Sequence, residues 1–239
     1  MAHSCVLVIT GLQREVAIIR RALRTAGSRD GKTRVGVVCH GPGARAACEA
    51  LRAGMRAARQ EGREIRLCLS VGFAAALVPA LEPGEIVMPS EVVAAPRRWS
   101  CARLAEPTAG PPLVPVARLA EAAEPLTDPR GKAWLHLTSG AVAADMESAA
   151  LARACAEEGI AFAVLRVISD GASHRLPACV TDAVDAEGRL HMGRLLGGLA
   201  LRPHVWRDFA RLARAGRRAE RGLGRLGAAL PQIALPFLV

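Results

Sequence analysis

The chain alternates short apolar runs with segments of helical periodicity, and this alternation limits the folds open to it. Apolar runs at residues 5–10, 33–39 and 66–71 each lead into a glycine-bearing turn. After the first run, apolar residues have helical spacing at residues 12–26. After the second run and its glycine-bearing turn, they have helical spacing as far as about residue 60. Strands that alternate with helices form mostly parallel sheets. The sequence therefore predicts a single α/β domain.

A helix and a buried strand are predicted in succession in the second half of the chain. An alanine-rich run at residues 149–156 has helical periodicity and stops at Gly159. Residues 162–168 are apolar except for Arg166, which is typical of a strand buried on both faces. We interpret Arg166 as a structural cation paired with a carboxylate, because unpaired burial of a charge is costly. Asp170 follows this strand, where parallel sheets bind ligands.

Three carboxylates are thus expected near one edge of the sheet. Besides Asp170, Glu15 and Glu147 lie in the first turns of their predicted helices. A carboxyl group in a partly apolar cleft has a raised pKa, and neighbouring negative charges raise it further, so one member can act as a general acid. We assign that role to Asp170. An ionised Glu147 can accept hydrogen bonds from two vicinal hydroxyl groups, such as those of a ribose. Met146 beside it offers an apolar surface to the sugar.

Composition indicates one sizeable core and gives no sign of a metal site or a disulfide framework. The chain has 239 residues, of which 51% are hydrophobic. Its seven cysteines are scattered, without the paired spacing of zinc ligands. The first ten residues lack the basic region of a signal peptide, and no later run reaches the roughly 20 apolar residues of a membrane span. We therefore expect a cytoplasmic protein.

Positive charge is concentrated near the C-terminus. The formal net charge is +10, and from residue 201 onward eight arginines accompany two acidic residues. No nucleic-acid motif accompanies them, so we expect no nucleic-acid partner. Apolar residues between 205 and 226 recur three and four apart, which predicts an amphipathic helix of about six turns. Two interpretations of this helix stay open. In the first, it docks on the domain or on a second subunit. In the second, its arginines and the apolar tail rest on the anionic inner face of the cytoplasmic membrane.

The remaining segments carry weaker signals. Residues 96–132 lack clear periodicity apart from a short helix near 116–123, and we predict a variable loop. Residues 171–188 are predicted to be irregular, and a helix is predicted at 190–201. The chain is then divided into a catalytic domain at residues 1–203 and, at 204–239, the basic helix with its apolar tail.

Five segments, in order, resemble the nucleoside phosphorylase superfamily, in its group of 5′-methylthioadenosine/S-adenosylhomocysteine nucleosidases. They are the first strand with Gly11 and Glu15, residues 70–77, residues 83–87, Asp145-Met146-Glu147-Ser148, and residues 166–170. The short region before Asp145 and the segments at 174–177, 201–203 and 209–214 resemble the hopanoid-associated phosphorylases. The resemblance spans most of the chain and implies a three-layer αβα fold with a mixed, mostly parallel central sheet.

The resemblance implies an enzyme, a purine nucleoside phosphorylase or N-glycosidase that cleaves the N-glycosidic bond of adenosylhopane. Adenine would be released, leaving ribosyl- or phosphoribosylhopane for hopanoid side-chain biosynthesis. By the same resemblance Asp170 protonates adenine N7, Glu147 binds the ribose hydroxyls beside Met146, and Glu15 orients or activates the nucleophile. Ser169 shapes the turn that presents Asp170. No cofactor is implied, and the expected assembly is a homodimer or larger, with subunits completing each other's clefts.

Two departures from the family pattern concern the nucleophile and the base pocket. Gly72 is followed by Phe73, where the nucleosidases carry a small hydroxyl residue, although both residues are still expected beside the substrate. The purine-contacting segment upstream of Met146 is also shortened. The nucleophile is therefore either water or inorganic phosphate as a co-substrate. The best local candidate for a phosphate site is the turn with Gly41 and Gly43 at a helix N-terminus, together with Arg45.

Two other functions stay open from the sequence. The first is a nucleosidase that acts on soluble 5′-modified adenosines. The second, from a different class, is a catalytically silent protein that binds nucleosides or nucleic acid. Release of adenine from a nucleoside separates the enzymes from the binding protein.

Overall fold

The computed structural model describes residues 3–26, 35–175 and 206–238, and the first half of the described chain follows the predicted alternation. The described strands are β1 (His3–Ile9), β2 (Val35–Val38), β3 (Arg63–Ala76), β4 (Ile86–Ala94), β5 (Arg97–Ser100), β6 (Leu113–Glu121), β7 (Ala143–Asp145) and β8 (Ala161–Asp170). The described helices are α1 (Gln13–Thr25), α2 (Ala44–Gln60), α3 (Pro129–Ser139), α4 (Ser148–Glu158) and α5 (Trp206–Ala234), and a 3₁₀ turn (Leu235–Phe237) follows α5.

The strands form one mixed sheet that closes on itself. β2, β1, β3 and β8 lie side by side in parallel. β8 then pairs antiparallel with β4, β4 pairs in parallel with β6, and β6 pairs in parallel with β7. The short β7 returns to pair antiparallel with the end of β3, so that β3, β8, β4, β6 and β7 form a ring. The predicted mixed, mostly parallel sheet is confirmed.

Helices cover both faces of the sheet, and the residues of β1 show how. Val6 and Val8 pack into a core shared with α1 and α5, whereas Leu7 and Ile9 pack into a second core shared with α2 and α4. Successive side chains of a strand point to opposite faces, so these two cores lie on opposite sides of the sheet. The fold therefore has the three layers that the resemblance implies.

Three predictions for the segment between residues 66 and 132 are wrong. The helix predicted near residues 116–123 falls mostly within β6, where β-branched valines fit the parallel ladder with β4. Residues 96–132 are accordingly not one variable loop, because they contain β5, β6 and the start of α3. The third strand was predicted to end before Gly72. It continues to Ala76 because the small residues after Gly72 pair with β8 and β7.

The C-terminal helix is longer than the predicted six turns. α5 has 29 residues, and its apolar face packs against α1 and the sheet, burying Leu223, Leu226 and Ile233. This packing agrees with one of the two alternatives, docking on the domain. Among the described residues, no helix has the length and apolar character needed to cross a membrane. The irregular segment predicted at 171–188 lies largely outside the described residues, and so do the helix at 190–201 and the boundary after residue 203.

Candidate active site

One cavity at the edge of the sheet brings together the three predicted carboxylates. Its volume is about 290 Å³, and it lies where β1, β7 and β8 end. Six of the predicted site residues line it: Glu15, Phe73, Met146, Glu147, Ser169 and Asp170. A larger hollow of about 840 Å³ beside α5 contains none of them. The three predicted carboxylates therefore share the smaller cavity.

Arg166 is the buried cation at the centre of this cluster. It lies within β8, is 1% exposed, and its Nη2 is 2.6 Å from Asp145 Oδ2 and 3.3 Å from Glu147 Oε2. Nη2 also donates a hydrogen bond to the hydroxyl of Ser70 at 2.8 Å. As predicted, the arginine balances buried carboxylates, since a lone buried charge would be strongly destabilising. Nη2 is thus shared between Asp145 and Glu147, whereas the buried Nε has no hydrogen-bond partner among the described residues.

Glu15 is held at the start of α1 by backbone donors. Its Oε2 accepts hydrogen bonds from the N–H groups of Gly11 (3.0 Å) and Leu12 (2.9 Å), the reach-back of a capping box. Its Oε1 accepts one from the N–H of Phe73 at 2.8 Å. Burial raises the pKa of the Glu15 carboxyl to about 7, against the opposing effect of Arg166. A carboxyl group that titrates near neutral pH suits a general base.

Gly72 explains how Glu15 and Arg166 approach the strand so closely. A Cβ added at Gly72 would lie 2.5 Å from Nη1 of Arg166 and 2.6 Å from Oε1 of Glu15. Any side chain would push both charged groups away. Phe73, the next residue, contributes its backbone N–H to Glu15, so its departure from the family pattern does not remove this contact.

Glu147 occupies the N-cap position of α4, one residue before the helix rather than inside its first turn. It is 7% exposed, and burial raises the pKa of its carboxyl while Arg166 opposes the rise. Its Oε1 accepts a hydrogen bond from the N–H of Gly43 at 2.8 Å. The turn that contains Gly43, predicted to bind phosphate, thus donates a hydrogen bond to Glu147, the carboxylate predicted to bind ribose.

None of the three residues suggested for phosphate, Gly41, Gly43 and Arg45, is among the residues that line the cavity. The side chain of Arg45 is 93% exposed and pairs with Glu49 one turn along α2. Gly41 has a φ of 116°, a left-handed conformation that glycine adopts without strain, but it does not line the cavity. Among the described residues that line the cavity, the one guanidinium is that of Arg166, which is already paired.

Asp145 anchors the start of α4, a role that the sequence motif did not reveal. Its carboxylate accepts hydrogen bonds from the N–H of Ser148 at 3.1 Å and from the hydroxyl of the same residue. Together with its ion pair to Arg166, these contacts fix the backbone on either side of Glu147. Asp145 therefore holds the turn that presents Glu147 to the cavity.

Asp170 forms a buried ion pair with Lys132, a residue that sequence reasoning missed. The side chain of Lys132 is 0% exposed, and its Nζ contacts Asp170 Oδ2. Nζ also donates to the carbonyl oxygens of Gly171 (2.9 Å) and His174 (3.1 Å). The other carboxylate oxygen accepts a hydrogen bond from the Ser169 hydroxyl at 2.7 Å. Lys132 therefore ties α3 to Asp170 and to the turn behind it.

One signal in the sequence points to Lys132. The chain has 30 arginines and only two lysines, so a lysine here marks a position that arginine does not fill. Asp128 caps α3 by accepting hydrogen bonds from the N–H groups of Arg130 and Gly131, which fixes the first turn from which Lys132 projects. Its partner Asp170 is 38 residues further along the chain, and no local pattern indicates the pairing.

Trp134, Trp99 and His174 lie outside this carboxylate cluster. Trp134 is 70% exposed, whereas Trp99 packs partly buried against the core beside α4. His174 is close to the site, but its Nδ1 accepts a hydrogen bond from the N–H of Gly171 at 3.1 Å, which supports the turn. Within the described parts of the chain, no group of three or more His, Cys, Asp or Glu side chains is arranged to hold a metal ion.

Part of the chain matches a known protein family. The phosphorylase superfamily matches residues 109–190, a span that includes Lys132, Glu147 and Asp170. No curated protein sequence matches the chain.

Solved structures share the fold at low sequence identity. A 5′-methylthioadenosine/S-adenosylhomocysteine nucleosidase of Helicobacter pylori is 15% identical, covering 86% of this chain and 99% of its own, with a TM-score of 0.59. A futalosine hydrolase of the same species is 14% identical, covering 97% and 99%, with a TM-score of 0.63. An S-adenosylhomocysteine nucleosidase of Streptococcus pyogenes is 15% identical, covering 97% and 98%, with a TM-score of 0.61. The chain thus has the fold of these nucleosidases and matches the phosphorylase superfamily in part of its sequence, in agreement with the predicted enzyme acting on N-glycosyl compounds.

Proposed function

We propose that the protein cleaves the N-glycosidic bond between adenine and ribose, and that its substrate is adenosylhopane. The observation that carries the reaction is the grouping of Glu15, Glu147 and Asp170 around one cavity behind a buried arginine. Bond cleavage leaves positive charge on the ribose ring and negative charge on the departing base. Carboxylates stabilise the first, and a proton donor removes the second.

Glu147 is proposed to bind the ribose. Its Oε1 is turned toward the N–H of Gly43, and its Oε2 lies beside Arg166, so the carboxylate is oriented before any ligand arrives. Two vicinal hydroxyls would donate to this oriented group, and Met146 beside it would contact the apolar face of the sugar. Preorganisation of this kind lowers the cost of binding the transition state.

Asp170 is ion-paired with Lys132, so we propose that it takes up a proton from solvent when the nucleoside binds and delivers that proton to adenine N7. Lys132 and Ser169 hold its two carboxylate oxygens, so the group has a fixed direction at the end of β8. The ammonium of Lys132 brings a positive charge next to the place where the leaving base accumulates negative charge. Lys132 thereby acts as a positioning residue for Asp170.

The described residues favour water over phosphate as the nucleophile. Phosphate is an anion with one or two negative charges near neutral pH. The described part of the cavity offers it no unpaired cation, since Arg166 is bound to two carboxylates and Arg45 faces solvent. Glu15, with a pKa of about 7, would accept a proton from water. On this basis the product is ribosylhopane rather than its phosphate ester.

The size of the cavity bears on the substrate. A volume of about 290 Å³ is at the lower limit for small-molecule sites. It suits a nucleoside, and a bulky lipid at the ribose 5′ carbon would extend outside it. The choice of adenosylhopane itself rests on the resemblance to hopanoid-associated phosphorylases. The futalosine hydrolase and methylthioadenosine nucleosidase neighbours make a soluble 5′-modified nucleoside the second candidate.

Purified protein incubated with adenosylhopane or with methylthioadenosine, each with and without phosphate, tests the proposal through release of adenine. We expect release from adenosylhopane at the same rate in both buffers. Faster turnover of methylthioadenosine would replace the lipid substrate with a soluble one, and strict dependence on phosphate would make the enzyme a phosphorylase. Release from neither substrate would contradict both choices.

A further inference from the structure

One stripe of arginines runs along the outer side of α5. Arg211, Arg214, Arg218, Arg221 and Arg225 are all exposed, and their spacing of three and four residues places them on one line along the helix. With a rise of about 1.5 Å per residue, the stripe is about 21 Å long. The opposite side of α5 is buried against α1 and the sheet. Packing therefore explains the apolar side of the helix and leaves the stripe unexplained.

The neighbouring helix extends this basic surface. α1 packs beside α5 and exposes four arginines, at positions 14, 20, 21 and 24. The described acidic side chain on the outer surface of the pair is Glu220, which pairs with Arg14. On the opposite side of the sheet, α2 and α4 carry five arginines together with three glutamates. The excess of positive charge thus belongs to one face, which we name the α1/α5 face.

The arginine stripe has no counter-charge among the described residues. None of its five arginines forms an ion pair there, whereas Arg45 on α2 pairs with Glu49 on the same helix. Grooves of about 840 and 650 Å³ flank α5, and arginines of the helix line both. Leu235, in the 3₁₀ turn that follows α5, is 58% exposed and adds an apolar group beyond the C-terminal end of the stripe.

We propose that the α1/α5 face binds the surface of an anionic phospholipid membrane. A helix that lies on such a surface combines arginines, which meet lipid phosphates, with apolar side chains at the boundary of the acyl region. A second copy of the chain is a poor occupant, because two-fold contact would set arginines against arginines. Nucleic acid would also attract the charge, but the apolar end of the stripe favours lipid. The inference concerns binding, so it stands apart from the proposed reaction.

Vesicle binding tests this face with a matched control. The variant Arg214→Gln/Arg218→Gln/Arg221→Gln removes three charges from the stripe, and Arg52→Gln/Arg56→Gln/Arg59→Gln removes three exposed charges from α2 on the other side of the sheet. Each basic residue near an anionic surface strengthens binding about fivefold, so the stripe variant should bind phosphatidylglycerol-containing vesicles about 100-fold more weakly. The α2 variant should bind nearly as well as the parent protein, and added salt should weaken both.

Three results would overturn the proposal. Equal losses in the two variants would assign binding to net charge rather than to this face. Tight binding to pure phosphatidylcholine vesicles would remove the role of anionic lipid. Tighter binding to duplex DNA than to anionic vesicles at the same salt concentration, lost in the stripe variant, would identify nucleic acid as the partner. Equal melting temperatures of the variants confirm that the comparison is made on folded protein.

Discussion

Replacing Lys132 with methionine should lower the free energy of unfolding far more than replacing any charged residue on the surface. The side chain of Lys132 is fully buried, and that of Asp170 is 7% exposed, so the substitution leaves a carboxylate without its cation in a largely dry setting. Breaking a buried ion pair from one side typically costs about 3–5 kcal/mol. Because Asp170 borders the cavity and water can reach it, we expect a loss near the lower limit, about 3 kcal/mol.

Urea unfolding followed by circular dichroism measures this loss, and two further variants show its cause. Arg130→Met removes an exposed cation two residues earlier on the same helix and should cost less than about 0.5 kcal/mol. Adding Asp170→Asn to Lys132→Met removes the unpaired charge and should restore much of the lost stability. The account of this pair is wrong if Lys132→Met costs under about 1 kcal/mol, or if the double variant is no more stable than the single one.

Two other predictions concern Glu15 and the strand behind it. The raised pKa of Glu15 means that the folded state holds this proton more tightly than the unfolded state, so its contribution to stability is present below about pH 4.5 and is lost as pH rises through about 7. In the variant Glu15→Gln, the free energy of unfolding should fall by up to about 3 kcal/mol less between pH 4.5 and pH 7 than in the parent protein. If the two proteins show the same dependence of unfolding on pH, the argument from the burial of Glu15 is wrong. Gly72→Ala should cost about 1–3 kcal/mol through the clash with Arg166 and Glu15. Gly36→Ala, whose Cβ would meet Leu7 at an ordinary 3.7 Å, should be nearly neutral in thermal melts, and equal effects of the two would refute this reading of Gly72.

The parts of the fold that the sequence predicted are those with strong local signals. The buried strand through Arg166 and the alanine-rich helix before it combine periodicity with glycine stops, and both lie close to their predicted positions. β6 was missed because its apolar residues share the strand with Pro115, Arg118 and the exposed Ala117, which hide the alternation. Its conformation comes from pairing with β4, a contact between distant parts of the chain.

The candidate site shows the same division between local and distant information. Glu15, Glu147 and Asp170 were found because each lies at the end of an element, where topology directs side chains to the edge of the sheet. Their partners were not found. Lys132 reaches Asp170 from another helix, and Gly43 reaches Glu147 from a turn 104 residues earlier. Such partners follow from three-dimensional packing, which a single sequence does not display.

The central claim is that this cavity breaks an N-glycosidic bond, and the most direct measurement is the rate of adenine release by the parent protein and by Asp170→Asn. Adenine is followed by chromatography, with adenosylhopane as substrate and folding checked by circular dichroism. We predict steady release by the parent protein and the loss of nearly all turnover in the folded variant. Equal turnover of the two proteins, or no adenine from the parent protein, would contradict the account.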